Sequence, residues 1–199
     1  MASNETPADP AWQVRVQAAP FDVSAEMDAM RGTDGGIGGI GLFAGTVRDL
    51  AGEAGAPPAG SADTAPPRRP PEMALELEHY PGMPERALRA MLQQARERFG
   101  LRAGRIGHRV GRLPPREPIV LVMTAAAHRH AALEACAFLM DWLKTEAPFW
   151  KKEHTASGSR WVTARQADDR ALARWGQLST NAQPQGRAEP QGDEGGTRS

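Results

Sequence analysis

Apolar and polar positions recur with two periods along this chain, and the switches between them predict its elements. Trp12, Val14 and Val16 alternate with polar neighbours, the period of a half-buried strand. Asp22 or Ser24 can cap a short helix running toward Arg31. Ile37 to Val47 is apolar but rich in glycine, which reads as a strand in close contact with another backbone. Met73 to Tyr80 alternates again, with Met73, Leu75, Leu77 and His79 on one side and Glu76, Glu78 and Tyr80 on the other. The period then lengthens. From Pro84 to Phe99 the residues Ala87, Leu88, Met91, Leu92, Ala95 and Phe99 form one stripe, opposite arginine and glutamine. Pro84 suits the first turn of that helix and Gly100 its end. Arg105 to Arg112 predicts a weaker strand, and the unbroken apolar run Ile119 to Ala125 a central one. Ala131 to Leu143 is apolar nearly all round, so a buried helix is expected. Trp161 to Thr163 predicts a last short strand. The order β-α-β-β-α-β-β-α-β argues for an α+β fold, a mixed sheet with flanking helices, over a doubly wound parallel sheet.

Composition limits where this pattern holds. Gly52 to Pro71 contains six prolines, five alanines and three glycines, too little apolar surface to offset the entropy of ordering. Gly176 to Ser199 is polar and rich in Gly, Gln and Pro, and reads as a disordered tail, while residues 1–10 read as a flexible N-terminus. One domain is therefore expected over residues 11–175, interrupted by the insert at 52–71. The 24 basic and 24 acidic side chains cancel, so the global positive charge of a nucleic-acid binder is absent. No apolar run is long enough to span a membrane and no secretory signal is visible, so a cytoplasmic location is expected. The one cysteine, Cys136, sits in an apolar helical run and reads as a buried, inert thiol.

Three segments carry candidate chemistry. Lys144-Thr145-Glu146-Ala147-Pro148-Phe149-Trp150-Lys151-Lys152-Glu153 brackets a Pro-Phe-Trp knot with lysines. Bulky rings and a proline restrict the backbone, so the lysines are held in place, as a site for an anionic substrate or a lysine-based reaction requires. A helix C-terminus with cations near its dipole gives the same composition. Gly35 to Gly41 resembles a phosphate loop but lacks the Gly-Lys-Ser/Thr ending, and no helix follows at once, so a turn and a close-packed strand account for it better. His128-Arg129-His130 lies between a strand end and a helix start, a junction that attracts anions. Its His-x-His spacing also suits a metal, but no third ligand is placed and Arg129 disfavours a cation, so no metal is expected. Capping by one histidine with solvated neighbours is the plain alternative. Arg48 ends the glycine-rich strand and has the two-pronged geometry that holds phosphate. Glu76 and Glu78 read as an exposed strand face.

Taken together, these motifs have a familiar order. Phe43-Ala44-Gly45-Thr46-Val47-Arg48, Leu77-Glu78-His79-Tyr80-Pro81-Gly82-Met83, Ala127-His128-Arg129, Met140-Asp141-Trp142-Leu143-Lys144-Thr145, Pro148-Phe149-Trp150-Lys151-Lys152-Glu153 and Arg160-Trp161-Val162 resemble the large, catalytic subunit of molybdopterin synthase. The resemblance runs from about Ala11 to Trp175. It implies an alpha/beta-hammerhead-like α+β fold and a sulfurtransferase of molybdenum cofactor biosynthesis. Such an enzyme converts cyclic pyranopterin monophosphate, precursor Z, into molybdopterin by inserting the two dithiolene sulfurs. The sulfur donor is the C-terminal Gly-Gly thiocarboxylate of a small ubiquitin-like subunit. Two large subunits pair as the homodimer core of a heterotetramer. No bound cofactor, nucleic acid or membrane is implied.

The resemblance also assigns roles. Lys144 and Lys151 match the lysines where the chemistry occurs. Arg48, with Thr46 and the Val47 backbone, is expected to hold the pterin phosphate. His128 and Arg129 are expected to line the same pocket across the dimer, with Lys152 adding charge and Glu153 orienting a lysine. Phe43, Met140, Phe149 and Trp150 are expected to wall a groove for the donor tail. A chain with no cysteine placed to carry sulfur agrees with an external donor. The chain departs from the family pattern in the insert at 52–71, at Arg116, where glycine is common, and at His130. A partner-binding module without turnover and a small anion- or nucleic-acid-binding protein are the competing readings, and neutral net charge argues against the second.

Overall fold

The computed structural model describes residues 9–48, 73–155, 158–162 and 174–176. The N-terminal segment, the insert and the tail marked out by the sequence lie outside these residues, save Asp9, Pro10 and Gly176.

Four strands form the first sheet: β1 (Trp12–Gln17), β2 (Gly39–Thr46), β4 (Ala103–Arg109) and β6 (Pro118–Ala126), in the order β1-β4-β6-β2. β1 runs parallel to β4, while β4–β6 and β6–β2 are antiparallel, so this sheet is mixed. β6 lies inside the sheet and is buried from Val120 to Ala126, as its unbroken apolar run requires. Helices α2 (Met83–Phe99) and α3 (Arg129–Glu146) cover one face and α1 (Val23–Arg31) the other. The main core joins Leu88, Met91 and Leu92 of α2 and Phe138 and Leu139 of α3 to Ile106 and Val122 of the sheet. Under α1, Met30 packs on Leu121 and Met123. Asp22 caps α1 by accepting from the Ala25 N–H at 3.0 Å. The α1 face also holds a buried cation, Arg105, which donates to Glu26 at 2.6 Å and further to Gln13 and the Pro10 carbonyl.

The second sheet is antiparallel throughout, in the order β5-β3-β7-β8, with β3 (Ala74–Glu78), β5 (Gly111–Leu113), β7 (Trp150–Thr155) and β8 (Gly158–Val162). The single weak strand read over Arg105–Arg112 is therefore two strands in different sheets. The chain breaks at Val110 and Gly111, where a φ of +85° turns it from one sheet to the other. β7 is an element that the hydrophobic pattern does not announce. The last strand begins earlier than read, at Gly158, and Thr163 lies outside the described residues. The two sheets meet over an apolar seam of Val47, Leu77 and Leu113, with Leu75 and Ile119 against them. No helix among the described residues is long and apolar enough to cross a membrane.

The glycine-rich strand explains how α3 sits. A Cβ at Gly39 would stand 3.1 Å from the Arg129 Cα, and one at Gly41 would stand 2.7 Å from the Ala132 carbonyl oxygen. The first turns of α3 thus lie on bare backbone. The buried Thr124 hydroxyl donates to that same Ala132 carbonyl at 2.7 Å and pins helix to sheet. Gly41→Ala should cost about 1–3 kcal/mol, because two backbones must part to admit one methyl group. Urea denaturation of the two proteins measures it, and equal midpoints contradict the close approach.

Candidate active site

α3 starts over the Gly39 end of β2 and returns along the sheet, so its C-terminal turn reaches the end where β6 begins and β4 and β2 finish. There the helix stops at Ala147, whose N–H donates to the Leu143 carbonyl at 3.2 Å. Pro148 and Phe149 link it to β7. Phe149 lies flat on His108, the penultimate residue of β4, with ring centroids 3.8 Å apart and planes 11° apart. The His79 ring, just beyond β3, stands tilted at 6.4 Å on the same Phe149. Three histidine and phenylalanine rings from β3, β4 and the helix–strand link therefore meet at the junction of the two sheets.

The two lysines expected to act flank this link. Lys144 occupies the last turn of α3 and is exposed. Lys151 is opposite Leu77 on β3 and Val162 on β8, which places it on the seam side of the second sheet, toward Val47. It is close enough to His108 to act on that ring's protonation. Lys152 is different. Neighbouring residues of a strand face opposite ways, and Lys152 is opposite Glu76 and Trp161, its ammonium 5.3 Å above the Trp161 ring. It therefore lies on the far face from Lys151 and does not share that lysine's side of the sheet, contrary to expectation. Glu153 shares the face of Lys151 but its carboxylate is taken by Arg160, at 2.8 Å, across the β7–β8 hairpin. It orients that arginine, a partner the sequence did not suggest.

On the first sheet, a register shift between Gly45 and Thr46 bends the end of β2. Thr46 is exposed there, followed by buried Val47 and exposed Arg48. The Val47 N–H donates to the Glu117 carbonyl at 2.9 Å and its carbonyl accepts from the Arg116 N–H at 2.8 Å. Val47 thus has no free N–H for a phosphate; its backbone clamps the strand end and so aims Arg48. The turn that does this keeps its shape with Arg116 at a φ of +75°, a left-handed conformation unfavourable for a residue with a side chain.

The structure does not bring every expected residue to this junction. His128 and Arg129 begin α3, which at about 1.5 Å per residue puts them about 27 Å from its other end. Met140 is 9% exposed and belongs to the main core, so it is no groove wall. Phe43 and Trp150 are exposed, at 40% and 55%. Phe43 is on the helix-covered face of β2, and Trp150, opposite Glu78, is on the far face of the second sheet. Sequence reasoning assigned no role to His108, His79 or Arg160. Arg160 becomes visible only through the hairpin register, and His108 only once β4 is seen to end under Phe149. Among the described residues no group of His, Cys, Asp and Glu is placed to hold a metal ion.

The profile of the MoaE protein family matches residues 16–146. A molybdopterin synthase catalytic subunit from Ralstonia nicotianae is 47% identical over 169 residues, covering 85% of this chain and 87% of that one. The solved molybdopterin biosynthesis MoaE protein from Burkholderia ambifaria superimposes with a TM-score of 0.65 at 47% identity, over 82% of this chain and 97% of its own. A complex of subunits 1 and 2 of the molybdopterin-converting factor from Helicobacter pylori shares the fold at a TM-score of 0.55 and 16% identity, over 78% of this chain and 92% of that one.

His108 gives the site a pH signature. Burial pushes its pKa from the ordinary 6.5 down to about 4; the nearby Lys151 ammonium and His79 add to the shift, and the bond to the Arg109 carbonyl opposes it. The fold therefore favours the neutral ring. Above pH 6.5 folded and unfolded chains both hold it neutral and its stabilising share is fully present. As pH falls toward 4 the unfolded chain binds a proton that the folded one refuses, and stability drops by up to about 3 kcal/mol. Urea midpoints at pH 7 and pH 4.5 should differ less in His108→Phe than in the unchanged protein, and an equal acid loss in both assigns the effect elsewhere.

Proposed function

The chain belongs to the MoaE protein family, and from that premise we propose that it works as the catalytic subunit of a molybdopterin synthase. It is a sulfur-transferring enzyme of molybdopterin biosynthesis. Its substrate is cyclic pyranopterin monophosphate, and its partner is the small sulfur-carrier subunit whose C-terminal thiocarboxylate brings each sulfur. A cytoplasmic setting is part of the proposal. The observation that supports it is the position of Lys144 and Lys151 on either side of the Phe149 anchor, both exposed among the described residues.

The roles follow from that placement. Lys144, at the helix end, activates the donor carbonyl as acid–base group or transient nucleophile. Lys151, on the seam side, stabilises the charge that develops or moves the proton. Arg48, aimed by the clamp on Val47, holds the phosphate with Thr46 beside it. The donor tail enters past Phe149, with exposed Phe43 available as an outer wall. The chain offers no sulfur of its own. The Cys136 thiol is buried, donates to the Val122 carbonyl at 3.9 Å, and burial pushes its pKa up to about 11 against a smaller opposing effect of Thr124.

His128 and Arg129 join this pocket only from a second copy. β2 is an edge strand, has no charged residue between Gly39 and Thr46, and exposes Leu42 and Phe43. Such an edge invites pairing. Antiparallel pairing of β2 with β2 of another copy about a two-fold axis brings the Gly39 end of one against the Thr46 end of the other. Since the Gly39 end carries His128 and Arg129, each pocket then holds Arg48, Lys144 and Lys151 from one copy and the histidine–arginine pair from its partner.

Two measurements test these assignments. With thiocarboxylated small subunit and precursor Z, Lys144→Ala and Lys151→Ala should each slow molybdopterin formation about one hundredfold, some 2.7 kcal/mol of barrier; full rates in both refute the roles. Mixing inactive Lys144→Ala with inactive Arg129→Ala should restore about a quarter of the unchanged rate, because half of randomly paired dimers carry one intact pocket of two. No recovery, with exchange of copies verified, places Arg129 in the same pocket as its own Lys144.

A further inference from the structure

We propose that His108 is a positioning residue for the sulfur transfer: its ring is the base on which Phe149 is fixed, and through Phe149 it sets where Lys144 and Lys151 stand relative to each other. The inference rests on the functional reading above and adds a residue to it. His108 is 3% exposed, at the end of β4, on the face covered by α2 and α3. Its Nδ1 lies 2.8 Å from the Arg109 carbonyl oxygen. A carbonyl only accepts, so Nδ1 carries the hydrogen, and this one bond fixes both the tautomer and the plane of the ring. Phe149 is stacked on that fixed plane.

The position of Phe149 in the chain makes this contact consequential. It is five residues after Lys144 and two before Lys151. On its N-terminal side the helix has ended, Pro148 restricts φ, and the Phe149 N–H donates to the Ala147 carbonyl at 2.8 Å. On its C-terminal side β7 begins at once, and its pairing places Lys151 opposite Leu77. The link between helix and strand is therefore rigid at both ends, and the ring of Phe149 is its anchor to the first sheet. Shifting that anchor moves the end of α3 and the start of β7 against each other, which changes the separation of the two ammonium groups. An aliphatic residue at 108 fills space equally well without presenting a flat ring held at a set angle. A histidine in this core carries a desolvation cost, and its bond to the Arg109 carbonyl supplies the orientation that offsets it.

The experiment compares His108→Ala, His108→Phe, Phe149→Ala and the double variant His108→Ala with Phe149→Ala, each as the whole chain with thiocarboxylated small subunit and precursor Z. We expect His108→Ala to lower kcat about tenfold or more while KM for the pterin stays within about twofold, because Thr46 and Arg48 are carried by the end of β2 and not by the link that the stack anchors. His108→Phe, which restores a flat ring but not the bond that sets its angle, should recover kcat part of the way from His108→Ala toward the unchanged protein, and the double variant should be no slower than Phe149→Ala alone. Unchanged kcat in folded His108→Ala, a His108→Phe as slow as His108→Ala, or additive losses in the double variant each overturn the proposal. If His108→Ala does not fold, Phe149→Leu keeps the apolar bulk and removes the stacked ring, and full kcat in it overturns the proposal equally. Ring 15N spectra of the unchanged chain give a readout free of turnover: a neutral Nδ1–H ring from pH 8 to 5 supports the geometry, and an ordinary titration near 6.5 overturns it. Should the unchanged chain form no molybdopterin while that spectrum holds, the sulfur-transfer reading fails and the stacking geometry does not.

Discussion

The close approach of α3 to β2 is the constraint from which the rest of the molecule takes its arrangement. A helix ordinarily packs on a sheet through a layer of side chains. Here Gly39 and Gly41 remove that layer, and the Thr124 hydroxyl reaches the Ala132 carbonyl directly. The start of the helix is thereby fixed in position and in direction. An 18-residue helix fixed at one end delivers its other end to one place, and that place is the junction where β4 and β2 finish and β6 begins. The run of glycines that looks like a phosphate loop is thus a platform for the helix that carries Lys144.

At the junction, a small second sheet is attached by contacts of two kinds. The seam of Val47, Leu75, Leu77, Leu113 and Ile119 is apolar and holds the sheets together without fixing an angle. The stack of Phe149 on His108 and the paired backbone bonds between Val47 and the Arg116–Glu117 turn are directional. The directional contacts are the ones next to Lys151 and Arg48. Strand geometry then sorts the charges. Lys151 and Lys152 are adjacent in the chain and for that reason face apart. One lies toward the seam, and the other covers Trp161 on a face that also holds the Glu76–His154 pair at 2.6 Å. Charge density along the sequence therefore overstates charge density at the site.

What was legible in the sequence follows the same physics. α2 was readable because one apolar stripe sits between Pro84 and Gly100, and the helix observed differs by a single residue at its start. β6 was readable because burial on both faces leaves an unbroken apolar run. β7 was not, because Lys151, Lys152 and Glu153 carry no alternation of apolar residues: its seam side holds a lysine and a carboxylate paired with Arg160, its far side a tryptophan and a lysine. The division of β4 from β5 depends on the backbone angle at Gly111 rather than on any side chain. Among site residues, Lys144 and Lys151 were singled out through motif resemblance, which preserves order along the chain but carries no information on which face of a strand a residue takes. Lys152 was misplaced for that reason, and Met140 because motif order does not say which side of a helix is buried. His108 stayed hidden because a histidine in a strand of mixed polarity gives no sign of what stacks on it.

The chemistry of sulfur explains why the lysines stand at an edge. A thiol with a pKa of about 11 is ionised in about one molecule in ten thousand at neutral pH, so buried Cys136 has no useful thiolate. Sulfur must enter on another molecule, and the groups that act on it must be reachable by a chain terminus. Lys144 and Lys151 are accordingly exposed in the single chain, where water screens their charge and weakens whatever they do to an oxyanion or a proton. In the proposed assembly, a tail laid over them and a second copy laid along β2 would remove that water from the same ammonium groups. On that proposal the donor itself closes the edge it enters, and the electrostatic strength of the site would develop when both substrates are in place.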